Sequence, residues 1–319
     1  MSTTVLLTKA EVINALKNYP EMIELLEKAH AELSEGSLKT LPRNAIFLPS
    51  RIIMAQMPAS IPSLGVAGTK IAMFGGAQGQ SAILLFDAEC GALKAIVAAE
   101  PITVLRTAAT SAAATNVLAR KDAEVLCLLG AGNQAVGHAE AICAIRPIKE
   151  IRVWSIDEPS AAAGVEKIAA LCPNAKVTAY LDAEAAVRGA DVICTVTKAR
   201  EPILQGEWIK PGAHVNAVGA VSAMGRELST SVLTNGKVYV DQMETCMGTA
   251  GDLLIPIKEG EYSQDQIVGE LGAAINGTVP GRENDEEITV FESVGLGCQD
   301  VVAAYIAVKN AEPTHTIEF

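Results

Sequence analysis

The apolar positions of this chain fall into two textures. Residues 9–35 carry them at helical spacing and predict two amphipathic helices. Residues 46–57, 65–73, 81–87 and 94–98 are short apolar or alternating runs that read as strands. Cys90-Gly91 makes a turn between the last two. Residues 103–118 form an alanine-rich stretch that predicts a helix packed by small side chains. This first part of the chain reads as an α/β domain with antiparallel character.

The second texture begins at Val125. A run of five apolar residues to Leu129 breaks into Gly130-Ala131-Gly132-Asn133-Gln134-Ala135, the order strand, glycine turn, helix. The pattern then repeats. Ile151, Val153 and Ser155 mark a second strand, and Val177 starts a third. Residues 184–187 sit on a short helix before the strand at 192–197. Pro211-Gly212 leads into 215–219, and Gly236 into 238–241. Apolar strands that alternate with helical segments predict a parallel sheet covered on both faces. The turn itself has a chemistry. Gly130 permits the tight bend, Gly132 lets a pyrophosphate approach the backbone, and Ala135 lets helix and strand pack closely. The N–H groups of such a helix start point at an anion. The expectation is a Rossmann-type, doubly wound parallel sheet that binds a dinucleotide.

Size and charge narrow the field. At 319 residues the chain has room for two domains, and half of it is apolar. The net charge of −12 argues against nucleic acid or an anionic membrane as a partner. The seven cysteines are scattered without a C-x-x-C pair, and the four histidines show no ligand spacing. Reduced thiols in a cytoplasmic protein without a metal site are expected. The first nine residues lack the pattern of a signal peptide, and no apolar run is long enough for a membrane span. After Ser293-Val294-Gly295 comes a final apolar helix, to about Asn310. It is expected to return to the first domain. The organisation is therefore read as 1–118 plus 295–319 for one domain and 119–294 for the inserted dinucleotide-binding domain, with the active site in the cleft between them. The polar segment 276–287 reads as a surface loop, with a lid as the alternative.

Three cations stand out: Arg43 in Leu41-Pro42-Arg43-Asn44, Lys70 in Gly68-Thr69-Lys70-Ile71, and Arg106 in Val104-Leu105-Arg106-Thr107. Lys70 and Arg106 interrupt apolar, small-residue stretches, where a charge is costly unless paired or functional. A planar guanidinium matches a carboxylate, and a lysine with lowered proton affinity can serve as a proton donor. His138 and His214 read as structural. Asp300, near the start of the last helix, reads as a carboxylate that complements the helix dipole.

Gly68-Thr69-Lys70, Leu105-Arg106-Thr107-Ala108-Ala109, the glycine turn, Asn216-Ala217-Val218-Gly219, Arg226-Glu227-Leu228 and Ser293-Val294-Gly295 occur in an order that resembles the ornithine cyclodeaminase/mu-crystallin family. The resemblance covers nearly the whole chain. It implies a substrate-binding and dimerisation domain joined to a Rossmann domain, and a homodimer. It implies that Arg43, Lys70 and Arg106 hold a substrate carboxylate, with Lys70 and Arg106 at the chemistry. It also implies that Ser81, Arg106, Asn133, Gln134, Thr197 and Ser293 contact the dinucleotide. Val218 joins the cofactor set and Val294 the substrate set.

One departure bears on the reaction. Cyclodeaminases carry an aspartate two residues after the glycine that ends the Asn-Ala-Val-Gly segment; here that position is Val221. Valine accepts no proton, so cyclisation is disfavoured and the redox branch is expected. The second Rossmann strand ends Trp154-Ser155-Ile156-Asp157-Glu158, with no cation before Lys167. Carboxylates repel a 2′-phosphate, so NAD is expected over NADP, with Ser155 and Asp157 near the ribose. The resulting expectation is an NAD(H)-dependent reductase of a small carboxylated imine. Iminosuccinate leads because three cations exceed the need of one carboxylate, with alanine dehydrogenase and cyclic ketimine reductase activities as neighbours. The alternatives are a redox-neutral cyclodeaminase and a non-catalytic binding protein.

Overall fold

The computed structural model describes residues 3–318 and divides into two compact units. The first comprises Met1–Thr110 and Gly295–Phe319. Its chain order is β1 (Thr3–Leu7), α1 (Lys9–Ala15), α2 (Tyr19–Glu35), β2 (Lys39–Thr40), β3 (Asn44–Phe47), β4 (Ile53–Ile61), β5 (Val66–Phe74), β6 (Ser81–Asp87) and β7 (Leu93–Ala98). α3 (Glu100–Leu118) begins in this unit. β4 to β7 form an antiparallel meander, β2 and β3 both pair antiparallel with β4, and β1 joins β7 in parallel. The helical pattern at 9–35 resolves into α1 and α2 because a capping box at Thr8 and Glu11 starts the first, and Pro20 in the first turn of α2 starts the second.

The expected strand 46–57 is two strands. Residues 48–52 form a turn in which Leu48 N donates to Ile52 O (2.8 Å) and Arg51 adopts φ 62°. Pro49 and Ser50 put turn chemistry inside an otherwise apolar run, and β3 folds back on β4.

The second unit is Ser111–Val294. The division falls inside α3 rather than at its end. The second half of α3 packs into this unit, with Ala114 and Leu118 against Tyr239, Leu271 and Phe291. The unit contains β8 (Val125–Leu129), α4 (Asn133–Cys143), β9 (Glu150–Trp154), α5 (Glu158–Leu171), β10 (Lys176–Tyr180), α6 (Ala183–Val187), β11 (Val192–Thr195) and β12 (His214–Ala217). Then follow α7 (Thr230–Asn235), β13 (Lys237–Val240), α8 (Met243–Thr249), α9 (Gly251–Glu259), β14 (Ile267–Glu270), α10 (Leu271–Ile275) and β15 (Thr289–Glu292). The strand order is β10-β9-β8-β11-β12-β15-β13-β14, with parallel pairing throughout. β11, β12 and β15 are buried at every position, as a sheet with two covered faces requires. This is the Rossmann-type doubly wound sheet. The order reverses between β8 and β11, so ligands are expected at the carboxyl ends of those strands.

The last helix, α11 (Gly297–Asn310), packs on β4, β5 and β6 in the first unit. β16 (His315–Glu318) then pairs with β1, an edge strand the apolar pattern does not announce because all four residues are exposed. The loop 276–287 is tied down: Arg282 donates to the carbonyls of Leu118, Ala213 and Glu287, and the Tyr239 hydroxyl to Pro280 O. A surface loop, not a lid, describes it.

Candidate functional site

In the second unit, β8 runs into Gly130 at φ 128°, a conformation that side chains rarely adopt. A Cβ there would stand 3.0 Å from both Val196 Cγ2 and Val196 O. Gly132 is the N-cap of α4 and supplies no capping side chain, so the first N–H groups of an eleven-residue helix stay available. A Cβ at Gly132 would meet nothing within 4 Å. Beside this turn is a cavity of about 560 Å³. Its walls are Gly130 to Gly132, Trp154 to Asp157 and Val196, Thr197 and Ala199, the carboxyl ends of β8, β9 and β11.

Asp157 lines the cavity and caps α5 by accepting from Ser160 N (2.8 Å); that bond holds its carboxyl below the usual range. Ser155 is buried there, and no lysine or arginine lines the cavity. Asn133 and Gln134 open α4, and Gln134 Oε1 is buried without a hydrogen-bond partner among the described residues. An uncapped helix start, a glycine facing open space and an orphaned polar atom fit a dinucleotide.

The other cofactor candidates divide. Thr197 lines the cavity, while its N–H and hydroxyl both donate to Glu227. Val218 is buried just beyond β12. The Ser293 hydroxyl and Val294 N–H both donate to Asp241 Oδ2 (3.0 Å each). Ser81 begins β6 in the other unit, paired with Ala72.

The first unit holds the cations. Lys70 lies on the buried face of β5, where alternation places Val66, Gly68 and Ala72. Its Nζ donates to Thr103 Oγ1 (2.7 Å) and Asp300 Oδ1 (3.1 Å). Arg106, on α3, donates from Nε to the same Asp300 oxygen (3.2 Å) and from Nη1 to Gln299 Oε1 (2.6 Å). Gln299 is in turn held by Leu296 N and by His30 Nε2. Lys70 is 4% exposed, Arg106 6% and Asp300 0%. Gly295 permits this packing, since a Cβ there would come within 2.7 Å of the Arg106 guanidinium.

Burial lowers the proton affinity of Lys70, and the positive charges of Arg106 and Arg43 push the same way, against Asp300. Arg43 is exposed immediately before β3, within electrostatic reach of Lys70. Within one unit, Lys70 and Arg106 thus share the Asp300 carboxylate, with Arg43 in electrostatic reach of Lys70.

Asp300 and Gln299 are the residues the sequence did not single out for the site. Asp300 lies in the first turn of α11, where a carboxylate complements the helix dipole, and it also bridges two cations; its Oδ2 has no partner among the described residues. The available signal was an adjacent Gln-Asp pair inside the apolar run of α11. His138 is buried between Ser111 Oγ and Gln134 O, and His214 between Thr289 and Asn216, both structural. Among the described residues no group of three His, Cys, Asp or Glu is placed to hold a metal ion, and no helix is long and apolar enough to cross a membrane.

Residues 2–314 match the model of the ornithine cyclodeaminase/mu-crystallin family. The chain is 37% identical over 314 residues to the ketimine reductase mu-crystallin of Mus musculus, covering 93% of this chain and 94% of that one. Its fold matches Thermococcus litoralis Δ(1)-pyrroline-2-carboxylate reductase, solved with NADH and L-proline. The TM-score is 0.90 at 32% identity, over 96% of this chain and 97% of that one. It also matches the iminosuccinate reductase of Paracoccus denitrificans solved with NAD+, with a TM-score of 0.91 at 25% identity over the full length of both chains.

Proposed function

Because the chain belongs to the ornithine cyclodeaminase/mu-crystallin family, we propose that it reduces a small carboxylated imine to an L-amino acid at the expense of NADH. The protein is an NAD-dependent oxidoreductase of the imine-reducing branch. The glycine turn and α4 take the pyrophosphate, and Ser155 and Asp157 take the adenosine ribose. An ionised Asp157 and a cavity wall free of cations favour NAD over NADP.

The observation that carries the reading is the shared oxygen of Asp300. It fixes a lysine of lowered proton affinity beside an arginine whose remaining N–H groups can fork onto a carboxylate. Arg106 and Arg43 bind the substrate carboxylate, and Lys70 donates to the imine nitrogen. When bound, the nicotinamide supplies the hydride to the imine carbon. The C=N bond thereby becomes a C–N single bond, and the nitrogen gains the proton that Lys70 places beside it.

We favour a monocarboxylated cyclic ketimine, such as pyrroline-2-carboxylate, over iminosuccinate. The relatives at 37% and 32% identity are named for ketimine and pyrroline-2-carboxylate reduction, and Asp300 already occupies part of the cation cluster. Cyclodeamination finds no support. Val221 is 42% exposed with no proton to exchange, and the neighbouring Ser222 hydroxyl accepts from Met224 N.

A homodimer in the cytoplasm completes the proposal. Phe47, Ile53 and Phe74 stand in one register across β3, β4 and β5, and Ile46, Phe47 and Phe74 are exposed apolar residues for a second copy to cover. All seven cysteines are free thiols.

The test is consumption of NADH with pyrroline-2-carboxylate, its six-membered homologue, oxaloacetate plus ammonia, and pyruvate plus ammonia. Turnover of the cyclic imines above the others is expected. Ammonia release from ornithine without net change in NADH, or binding without turnover on any substrate, would overturn the reading.

A further inference from the structure

Glu227 does not line the cofactor cavity itself, yet it is the hub of the loops around it. It is fully buried. Its Oε1 accepts from Thr197 N and Thr197 Oγ1 (2.6 Å each), and its Oε2 from Gly219 N (2.8 Å). Its backbone carbonyl accepts from Ile203 N (2.8 Å) and Leu204 N (3.0 Å). Its own N–H and that of Leu228 donate to Asp252 Oδ1 (2.7 Å each). A Cβ on Gly219 would overlap both this carboxylate and Thr197 O, so the glycine permits the approach.

Two of the groups it holds, Thr197 and Ile203, line the dinucleotide cavity. Thr197 Cγ2 would lie 3.3 Å from a Cβ at Gly130, so the face of Thr197 opposite its hydroxyl abuts the phosphate turn.

The position is an expensive one for a carboxylate. Burial pushes the Glu227 carboxyl up against the pull of its donors. Glu292, deeply buried nearby, has no hydrogen-bond partner for either oxygen among the described residues, and neither has Asp252 Oδ2. A glutamine would fill the same volume at lower electrostatic cost, but it has one acceptor oxygen and would turn an NH₂ group at an N–H donor. Only an acceptor-only group collects two backbone N–H groups and a hydroxyl at once. What the carboxylate supplies is therefore geometry.

We propose that Glu227 is a positioning residue for the dinucleotide: it ties the ends of β11 and β12 together through Thr197 and Gly219, so that the wall facing the phosphate turn is set before the cofactor arrives. The inference rests on the NAD reading of that cavity.

The experiment is titration of NADH, followed by nicotinamide fluorescence, into the purified full chain and its E227Q, T197V and E227Q/T197V variants, each checked by circular dichroism and a cooperative melt. E227Q should weaken NADH about tenfold, equivalent to about 1.4 kcal/mol. T197V, which keeps the methyl beside Gly130 but loses the hydroxyl anchor, should weaken it about threefold, and the double variant no more than E227Q alone. A role in stability alone would lower the melting temperature and leave the affinity of the folded protein unchanged. Folded E227Q that binds within twofold of wild type would overturn the proposal, as would unchanged binding by T197V should E227Q not fold. Absence of NADH binding by the wild-type chain would instead bring down the functional reading on which the proposal stands.

Discussion

The two units are proposed to hold negative charge by opposite means. In Ser111–Val294 the anion site is backbone: an uncapped helix start and a glycine with open space before it, with no cation in the cavity wall. In the unit of β1–β7 and α11 the site is side-chain charge, with Lys70 and Arg106 buried on one oxygen of Asp300. The backbone site is neutral when empty and costs the fold little. The charged site must be paired at all times, because an uncompensated buried charge is among the most destabilising groups a protein can contain.

That contrast predicts its own largest break. Asp300→Ala leaves Lys70 and Arg106 buried without their shared counterion, and stability should fall by about 3–5 kcal/mol in urea unfolding. Lys70→Met should cost distinctly less, since Asp300 keeps Arg106. Equal losses for the two variants, or a loss near zero for Asp300→Ala, would show that the carboxylate is not the keystone of the cluster.

The backbone site should break differently. A Cβ at Gly132 meets no protein atom and its φ of −83° is ordinary, so Gly132→Ala should leave the melting temperature almost unchanged. The same methyl projects where a phosphate approaches, and NADH affinity should fall about tenfold, about 1.4 kcal/mol by titration. Gly130→Ala should lose stability as well, because its φ is 128° and its Cβ would press on Val196. If Gly132→Ala bound NADH as wild type does, the phosphate would have to lie elsewhere.

The same contrast explains what could be read from the chain alone. The phosphate turn is local: strand, glycines and helix follow one another within eleven residues, and each leaves a compositional mark. The alternation of apolar strands and helices marks the parallel sheet just as directly. The charge cluster is non-local. Lys70 and Asp300 are 230 positions apart, and nothing in the text around Asp300 states that it meets a cation. Glu227 was visible in Arg226-Glu227-Leu228 as a pattern, but its partners Thr197 and Gly219 belong to other strand ends. Local competition hid the rest. Pro49, Ser50 and Arg51 bend an apolar run into a hairpin, and β16 is an exposed edge strand without apolar alternation.

The smallest effect is a displacement along the pH axis, and it tests the cluster from both sides. Lys70 holds its proton less firmly in the folded chain than in the unfolded one, because burial and the charges of Arg106 and Arg43 outweigh Asp300. Between the depressed native value and the ordinary lysine value near 10.5 the unfolded chain binds more protons, so the contribution of Lys70 to stability rises with pH across that window. Catalysis runs the other way. A lysine that donates a proton must carry one, so kcat/KM should fall as pH rises through the native value. Asp300→Asn removes the charge that raises it and should move this alkaline limb to lower pH. Arg43→Ala removes a charge that lowers it and should move the limb to higher pH, even as the plateau drops from lost substrate binding. Opposite displacements in the two kcat/KM profiles would assign the limb to Lys70. Displacements of the same sign, or none, would assign the proton to another donor and leave Lys70 a binder of the carboxylate.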